Sequence, residues 1–288
     1  MTSIDDFFHT ERAAWENSTR EILSKTSFSK SPSGLQESIL YSLFSSGKCI
    51  RGILALHSGR LSGISDDKSR ALAAAVELIH CYSLIHDDLP AMDDDDYRRG
   101  KLSNHKKFTE ATAILAGDGL QSLAFEIIAR AGLSSESIAA LATAIGPLGM
   151  VGGQYLDMNV SESTNFSELR AIHRAKTGRL LAASISLPYL EAQKKNFSEV
   201  RNWAARVGLL FQITDDILDK TSSSEQLGKT AGKDEKQNKA TFPSIISLEK
   251  SITLRDRLST SLEEEAERCF EKDEIYTALP SYLKNRKK

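Results

Sequence analysis

Apolar residues recur at spacings of three and four along most of this 288-residue chain, and this periodicity limits the possible folds most strongly. It is clearest between residues 71 and 89, where Leu72, Val76 and Ile79 form one such series. This spacing predicts α-helices that bury an apolar face, and no strand-like alternation persists along the chain. Helices are predicted over 3–25, 34–47, 50–62, 66–89, 110–131, 134–158, 166–193, 197–219, 240–272 and 274–285. The sequence therefore predicts an all-α, single-domain protein of about ten helices.

The helix predicted over 66–89 ends in an acidic cluster. Asp87 and Asp88 lie at its C-terminal end, where the helix dipole disfavours each carboxylate by roughly 0.3–1 kcal/mol. Pro90 is expected to end the regular helix, so that the chain turns and brings Asp93 back toward Asp87. Carboxylates placed where the helix dipole disfavours them usually mark a functional site.

A second acidic cluster lies near the end of the helix predicted over 197–219. Asp215 and Asp219 are four residues apart and share one helix face, and Gln212 and Asp216 have the same relation one step round the helix. The neighbouring residues are apolar, so part of this cluster is expected to face an interior cavity.

Both clusters supply oxygen ligands without interleaved His or Cys, a donor set that suits Mg²⁺ rather than Zn²⁺. Mg²⁺ usually binds through one or two carboxylates and completes its coordination with water and substrate phosphates. Arg98 and Arg99 follow the first cluster and would bind phosphate oxygens. The alternative is a solvated acidic loop, but few such loops end an apolar helix and run into paired arginines. The pattern predicts a metal site that faces an anionic substrate.

A polar segment from Lys220 to Asn238 follows the second cluster and contains Gly228 and Gly232. Because it lies beside a candidate metal site, its lysines are predicted to form a lid that closes on a phosphate. A flexible surface loop is the alternative.

The charge and cysteine content exclude several classes of protein. The formal net charge of −2 gives no reason to expect binding to nucleic acid or to an acidic membrane surface. No uninterrupted run approaches the ~18 apolar residues of a membrane span, and the N-terminus lacks a signal-peptide apolar region, so no stable membrane association is predicted. Cys49, Cys81 and Cys269 are far apart and lack metal-binding spacing, which favours a reducing compartment. A cytoplasmic protein is therefore predicted.

Several motifs occur together in one order along the chain. They are Gly47-Lys48-Cys49-Ile50-Arg51, His80 ahead of Asp87-Asp88 and Asp93, Gly153-Gln154-Tyr155-Leu156-Asp157, Lys176-Thr177, Phe211-Gln212 ahead of Asp215-Asp216 and Asp219, and Gly228-Lys229 through Lys239. From about residue 46 onward, this set resembles the trans-prenyltransferases, the head-to-tail isoprenyl diphosphate synthases. More narrowly, it resembles the bacterial short-chain members that make farnesyl diphosphate. The resemblance implies the isoprenoid synthase fold, a helical bundle around a central cavity, with residues 1–288 as one polyprenyl synthetase domain.

The resemblance also implies a mechanism of ionisation, condensation and elimination. An allylic diphosphate lies between the two acidic clusters with Mg²⁺, three ions per active site, and the released pyrophosphate takes the final proton. The implied metal ligands are Asp87, Asp88, Asp93, Asp215, Asp216 and Asp219. Isopentenyl diphosphate is bound by Lys48, Arg51, His80 and Arg99. The allylic diphosphate is bound by Arg98, Lys176, Thr177, Gln212, Lys229 and Lys239, of which Lys176, Thr177 and Gln212 are also assigned as catalytic. The family is usually homodimeric.

Two positions depart from the family pattern, and one nearby residue bears on product length. Cys49 stands in place of Arg and Gly52 in place of Pro, which is expected to weaken a positive charge and to loosen a helix start. Tyr82 lies five residues before Asp87, about 7.5 Å along a helix axis, and Ser83 lies one turn before it. A bulky aromatic there favours a fifteen-carbon product over a twenty-carbon one. Ordinary core packing is the alternative for Tyr82.

Four other functions remain open. A simple helical metal-binding or scaffold protein is one, but it would not need the lysine lid. A geranylgeranyl diphosphate synthase would differ mainly in the pocket, and Tyr82 argues against it. A class I terpene cyclase would carry an Asn/Ser/Glu metal motif in place of the second Asp cluster. A non-catalytic regulatory subunit would be expected to have lost one of the two clusters. The basic residues 284–288 either help to close the site over phosphate or form a frayed tail.

Overall fold

The computed structural model describes residues 3–45, 47–161, 163–221 and 240–286, which are almost entirely helical. The helices are α1 Ile4–Ser24, α2 Ser33–Leu43, α3 Ile50–Ser62, α4 Asp66–Asp87, α5 Asn104–Lys107, α6 Glu110–Arg130, α7 Ser135–Ile145, α8 Met150–Met158, α9 Phe166–His173, α10 Arg179–Glu191, α11 Phe197–Thr221, α12 Phe242–Ile246, α13 Leu248–Cys269 and α14 Glu274–Asn285. A 3₁₀ turn covers Ser27–Lys30, a π turn covers Arg174–Gly178, and β1 Tyr97–Arg98 pairs with β2 Lys101–Leu102. The chain divides into two compact units, Met1–Ile138 and Ala139–Lys288, with the boundary inside α7.

Helix α4 forms the core of the first unit. Every residue from Ala71 to Val76 is buried, and this run contains four alanines whose small side chains let α3 and α6 pack against α4. Trp15 of α1 is 1% exposed and donates its indole N–H to the Ala73 carbonyl over 3.2 Å. These contacts bury a polar N–H with a partner and hold α1 against α4.

A tight turn joins β1 to β2. Arg99 and Gly100 have φ angles of 53° and 76°, and the flanking Arg98 and Lys101 are paired across the two strands. Positive φ at both central residues is what a type I′ hairpin turn requires. The turn therefore fixes the backbone positions of both arginines that follow the first acidic cluster.

Helix α11 forms the core of the second unit, where it packs against α10, α13 and α14. Its Trp203 is 1% exposed, and its ring centroid lies 4.8 Å from that of Phe270 and 5.5 Å from that of Tyr276. The indole N–H donates to the Leu262 carbonyl over 2.9 Å. This aromatic cluster anchors the helix that carries the second acidic cluster.

The all-α prediction is confirmed, with local differences in the described part of the chain. The stretch predicted as a helix over 166–193 begins with a capping box formed by Asn165 and Glu168, but it contains the π turn. The stretches 134–158 and 240–272 each form two helices rather than one. The sequence did not predict the hairpin or α5. The single-domain organisation stays a prediction.

Within the described residues, two helical stretches are long and apolar enough, by length and composition alone, to cross a membrane. They are Glu110–Arg130 and Ser135–Met158, each with a mean hydropathy of 1.2 over an 18-residue window. Neither is an uninterrupted apolar run, because Asp118 and Glu126 interrupt the first and Pro147 the second. Core helices of soluble proteins pass the same test, and Glu110–Arg130 packs along α4.

Candidate active site

The chain after α4 turns back on itself. The helix ends at Asp87, and the Asp93 N–H donates to the Asp87 carbonyl over 2.8 Å. The Asp95 N–H donates to the Asp88 carbonyl over 3.2 Å. The backbones of Asp87 and Asp93 are therefore adjacent although the two residues are six positions apart in the chain. The prediction that the chain turns near Pro90 and returns Asp93 to Asp87 is confirmed.

The carboxylate of Asp88 is buried against Arg98. Asp88 is 2% exposed, and the Arg98 Nε lies 2.9 Å from its Oδ1 and 3.2 Å from its Oδ2. The Arg98 Nη2 also donates to Oδ1. Pairing offsets the desolvation of a buried carboxylate. The predicted metal ligand and the predicted phosphate-binding residue thus bind each other in this structure, a contact that the sequence did not reveal.

Positive charge gathers around His80 of α4. Burial first, and then the charges of Arg51, Arg99 and Arg98, hold the pKa of His80 well below its usual range. His80, Arg98 and Arg99 line one cleft, together with Asp88. The structure therefore brings three of the four residues predicted to bind isopentenyl diphosphate, His80, Arg51 and Arg99, within electrostatic range of one another. An anion would be favoured there.

The loop before α3 is shaped to approach Arg99. A Cβ at Gly47 would lie 2.4 Å from the Arg99 Nη1, so a larger residue there would require the guanidinium to shift. Lys48, the fourth predicted residue, is exposed, and Cys49 is buried with φ of 45°. Burial, followed by the charge of Glu77, raises the pKa of Cys49 to about 12. The thiol is therefore neutral, which agrees with the expected loss of positive charge at this position.

Gly52 contacts α4 at the start of α3, and the predicted loosening of this helix start stays a prediction. Its backbone N–H donates to the buried carboxylate of Glu77 on α4 over 2.8 Å. Proline has no N–H to donate. The residue that departs from the family pattern therefore ties the first turn of α3 to α4.

Lys176 and Thr177 lie in the π turn between α9 and α10. The Lys176 Nζ is 2.6 Å from the Asp157 Oδ2, and a Cβ at Gly153 would lie 2.1 Å from the Lys176 backbone N. The motif from Gly153 to Asp157 therefore positions Lys176 through a close backbone contact and through an ion pair. Turns of this kind are frequent at functional sites.

A chain of hydrogen bonds links Thr177 to the second acidic cluster. The Thr177 Oγ1 donates to the Gln212 Oε1 over 3.1 Å, and the Gln212 Nε2 donates to the Asp216 Oδ1 over 3.0 Å. The Asp216 Oδ2 accepts the Phe242 N–H at the start of α12 over 2.9 Å. Asp216 is 5% exposed and has both oxygens bonded within the protein. This carboxylate orients the Gln212 amide and holds α12.

Asp215 meets the described part of the basic C-terminus. The Arg286 guanidinium pairs with the Asp215 Oδ1, lies 3.8 Å from the centroid of the Phe211 ring, and donates to the Phe211 carbonyl over 3.2 Å. Asp219 follows one turn later on α11. Arg286 is therefore docked on the helix that carries the second acidic cluster.

Tyr82 and Ser83 lie on α4 near its acidic end. Tyr82 is 6% exposed and meets His86 edge to face with ring centroids 5.8 Å apart, and burial raises its pKa to about 12. The Ser83 Oγ donates to the His80 carbonyl over 2.9 Å. Tyr82 is thus a packed residue, and its effect on product length stays a prediction.

The donor chemistry of the two clusters fits Mg²⁺. Asp87 and Asp93 in the first unit offer carboxylates on adjacent backbone segments, and Asp215 and Asp219 offer carboxylates one helical turn apart in the second. Carboxylate oxygens without nitrogen or sulfur donors suit a hard cation. Lys229 and Lys239, predicted to bind the allylic diphosphate, lie outside the described residues, as does most of the predicted lid.

Sequence reasoning missed three features in the described chain. Asp157 was within a recognised motif, so its role beside Lys176 was open to prediction. No local pattern distinguishes Arg286 from its basic neighbours, and its partners lie far earlier in the chain. A group formed by Asp94, Asp96 and His105 was also not predicted.

Comparison with known proteins gives one consistent result. The polyprenyl synthetase family model matches residues 32–279. A farnesyl diphosphate synthase of Geobacillus stearothermophilus is 42% identical over 85% of this chain and 85% of its own length. A chloroplastic geranylgeranyl pyrophosphate synthase of Catharanthus roseus is also 42% identical, over 93% of this chain and 78% of its own length. The crystal structure of a geranyltransferase from Legionella pneumophila has a TM-score of 0.83 and 34% identity, and the match covers 99% of this chain and 96% of that one.

The family match covers most of the chain, the relatives align along most of their own lengths, and the solved structure shares the helical fold. The chain belongs to the polyprenyl synthetase family, the trans-prenyltransferases.

Proposed function

We propose that this prenyltransferase condenses isopentenyl diphosphate with dimethylallyl diphosphate and then with geranyl diphosphate, giving farnesyl diphosphate. The observation that carries the proposal is the hydrogen-bond chain from Thr177 through Gln212 to Asp216, beside the Lys176–Asp157 ion pair. These contacts fix the positions of the Thr177 and Gln212 side-chain oxygens and of the Lys176 ammonium group, which we propose act on the allylic substrate.

Asp87, Asp93, Asp215 and Asp219 are the proposed Mg²⁺ ligands, and Asp88 and Asp216 are proposed to support them. Bound Mg²⁺ would neutralise charge on the diphosphate, so that the allylic carbon–oxygen bond breaks more easily. Lys176 adds a positive charge that stabilises the leaving pyrophosphate. The Thr177 Oγ1 and Gln212 Oε1 offer lone pairs that stabilise an allylic cation, and their hydrogen bond limits their movement toward it.

Isopentenyl diphosphate is proposed to bind at the cleft beside His80. Its low pKa makes the imidazole neutral near pH 7, so the positive charge at the site comes from Arg51 and Arg99, with Lys48 at the exposed edge. The substrate double bond then attacks the allylic cation. The released pyrophosphate accepts the proton that is lost afterwards.

A geranylgeranyl product is the second candidate. Relatives of both product classes have the same 42% identity to this chain. The buried ring of Tyr82 favours the shorter product, because a chain growing back along α4 meets it about 7.5 Å before Asp87.

Substitution of the acidic clusters tests the metal assignments. Asp87→Ala and Asp215→Ala should each lower kcat by about 100-fold or more, because metal charge stabilisation supplies several kcal/mol. Asp67→Ala is the control, since Asp67 is exposed in the first turn of the same helix as Asp87. Circular dichroism would confirm that the variants fold. Folded Asp87→Ala and Asp215→Ala proteins with activity like that of Asp67→Ala would refute the assignment.

We also propose that the enzyme is a cytoplasmic homodimer that uses α8 in its interface. Val151, Tyr155 and Met158 of α8 are 47%, 68% and 51% exposed, and their spacing places them along one face. Leu148 just before the helix is 80% exposed. An apolar face of this kind fits a second copy of the chain. The three cysteines form no disulfide, which supports a reducing compartment.

Analytical ultracentrifugation tests this interface. The native chain should sediment as a dimer, and Val151→Glu combined with Tyr155→Glu should shift it to monomer. A monomeric native protein, or a double variant that remains dimeric, would contradict the assignment.

A further inference from the structure

Three side chains near the hairpin form a group that the prenyltransfer reaction does not use. One ligand atom each from Asp94, Asp96 and His105 lies within 4.8 Å of the other two. Both aspartates are exposed, and His105 is 6% exposed. The two carboxylates and the imidazole together provide two oxygen donors and one nitrogen donor.

The hairpin brings these residues together. The Ser103 N–H donates to the Asp96 carbonyl over 2.8 Å at the base of the two strands, which places residue 96 beside the segment that contains His105. Asn104 anchors that segment, because its side-chain amide donates to the Ser38 carbonyl over 3.0 Å and to the Ser42 Oγ over 2.8 Å. The segment that carries the imidazole is therefore fixed by neighbours on α2.

The hydrogen bonding of His105 prepares it for a ligand. Its Nδ1 lies 3.1 Å from the Ser103 Oγ, and its Nε2 is buried without a hydrogen-bond partner. A proton on Nδ1, donated to Ser103, leaves a lone pair on Nε2. Metal-binding histidines usually donate their other ring N–H in this way, which fixes the tautomer. An unsatisfied buried nitrogen is uncommon in folded proteins and calls for a partner.

We propose that Asp94, Asp96 and His105 bind one divalent ion of the zinc class, through one oxygen of each carboxylate and the Nε2 of His105. An imidazole donor favours such ions over Mg²⁺, which prefers oxygen alone. Solvent water completes the coordination, because both carboxylates are exposed. The ion displaces the Lys106 ammonium, which lies 2.9 Å from the Asp96 Oδ1 and is itself 40% exposed. It ties α5 to the segment after the acidic turn and thereby stabilises the hairpin that carries Arg98 and Arg99.

Zinc titration of the full chain tests the proposal. Chelator-treated protein would be titrated with Zn²⁺ by calorimetry in excess Mg²⁺, so that the aspartate clusters are occupied. One tight equivalent is expected, with a rise in the thermal midpoint. His105→Gln should abolish this equivalent, and Asp94→Asn should weaken it by about 10-fold or more. His9→Gln should leave it unchanged, because His9 is exposed on α1.

X-ray absorption of the zinc complex provides a second measurement that does not depend on activity. One imidazole nitrogen in the coordination shell is expected, and it should be absent from any zinc bound to His105→Gln. Asp94→Asn retains the buried imidazole, so it tests the site even where His105→Gln fails to fold. A native chain that binds no zinc under these conditions would overturn the proposal. Zinc binding that persists in both His105→Gln and Asp94→Asn would also overturn it. So would zinc binding that is lost in Asp87→Asn instead of in these two variants.

Discussion

At the scale of single residues, Gly52 shows how a departure from a family pattern is accommodated. A Cβ at this position would lie 2.7 Å from the Glu77 Cγ and from the Trp15 Nε1, and 3.0 Å from the Ala73 carbonyl oxygen. The glycine therefore lets α1, α3 and α4 meet closely, while its N–H satisfies a buried carboxylate. The small side chain and the donated hydrogen bond act together to hold the helix start.

Gly52→Ala should lower the free energy of unfolding by roughly 1–3 kcal/mol, because the added methyl overpacks this junction. The matched control is Gly34→Ala in α2, where a Cβ would meet nothing within 4 Å. That change should be neutral or stabilising by up to about 1 kcal/mol. Urea unfolding of both variants measures the difference. Equal stabilities for the two variants would show that the Gly52 contacts do not constrain the packing.

Tyr82 is the residue that carries the product assignment. Tyr82→Ala removes the buried ring and should shift the main product from fifteen to twenty carbons, whereas Tyr82→Phe keeps the ring and should still give fifteen. Product lengths would be read by mass spectrometry. A fifteen-carbon product from both variants would mean that Tyr82 is ordinary core packing.

At the scale of elements, the π turn and α8 form one unit of structure. The Gly153 Cα–H side of α8 lies against the Lys176 backbone, and Asp157 one turn later pairs with the Lys176 ammonium. Because both contacts come from one short helix, a shift of α8 moves Lys176 directly.

Gly153→Ala should therefore lower kcat by about 10-fold or more, because misplacing a reacting group by even about 1 Å can cost 10²-fold. It should also destabilise the protein, since the clashing atoms belong to the backbone. Gly119→Ala in α6 is the control, because its Cβ would meet only the Ile39 Cδ1 at 3.5 Å. Steady-state kinetics with purified, folded protein compare the two. Full activity in Gly153→Ala would contradict the account of the turn.

Helix α4 gives a pH-dependent prediction through His80. Its folded-state pKa lies well below the ordinary value of 6.5, so the unfolded chain binds more protons below that pH. The free energy of unfolding should therefore fall as the pH is lowered below about 6.5, by up to about 1.4 kcal/mol per pH unit, until the folded-state pKa is reached. Metal-free His80→Asn should show a shallower dependence in urea unfolding between pH 6.5 and 5. Parallel curves would contradict the neutral imidazole.

At the scale of the whole molecule, the sequence predicted what depends on local pattern. Helical periodicity located α4 and α11. The spacing of Asp87, Pro90 and Asp93 predicted the turn that brings Asp93 back to Asp87. The pairing of Asp88 with Arg98 depends on how the hairpin folds back, which the local sequence does not specify. The hairpin turn itself was not predicted, because arginine rarely adopts the positive φ angle that Arg99 has there.

Contacts between residues far apart in the chain could not be predicted either, because they depend on how the chain folds back on itself. Arg286 binds Phe211 across 75 positions in the chain, and Gly52 binds Glu77 across 25. Such pairs form because helices pack in three dimensions, and no single-sequence period encodes them. The π turn likewise breaks a regular helical pattern that the side chains alone would continue.

A product assay tests the proposed prenyl transfer most directly. Purified protein would be incubated with Mg²⁺, isopentenyl diphosphate and either dimethylallyl or geranyl diphosphate, and the products identified by mass spectrometry. We expect farnesyl diphosphate from both primers, and no condensation after chelation of the metal. Folded protein that condenses neither primer would contradict the proposed function, and a mainly twenty-carbon product would preserve the chemistry but overturn the assignment of Tyr82.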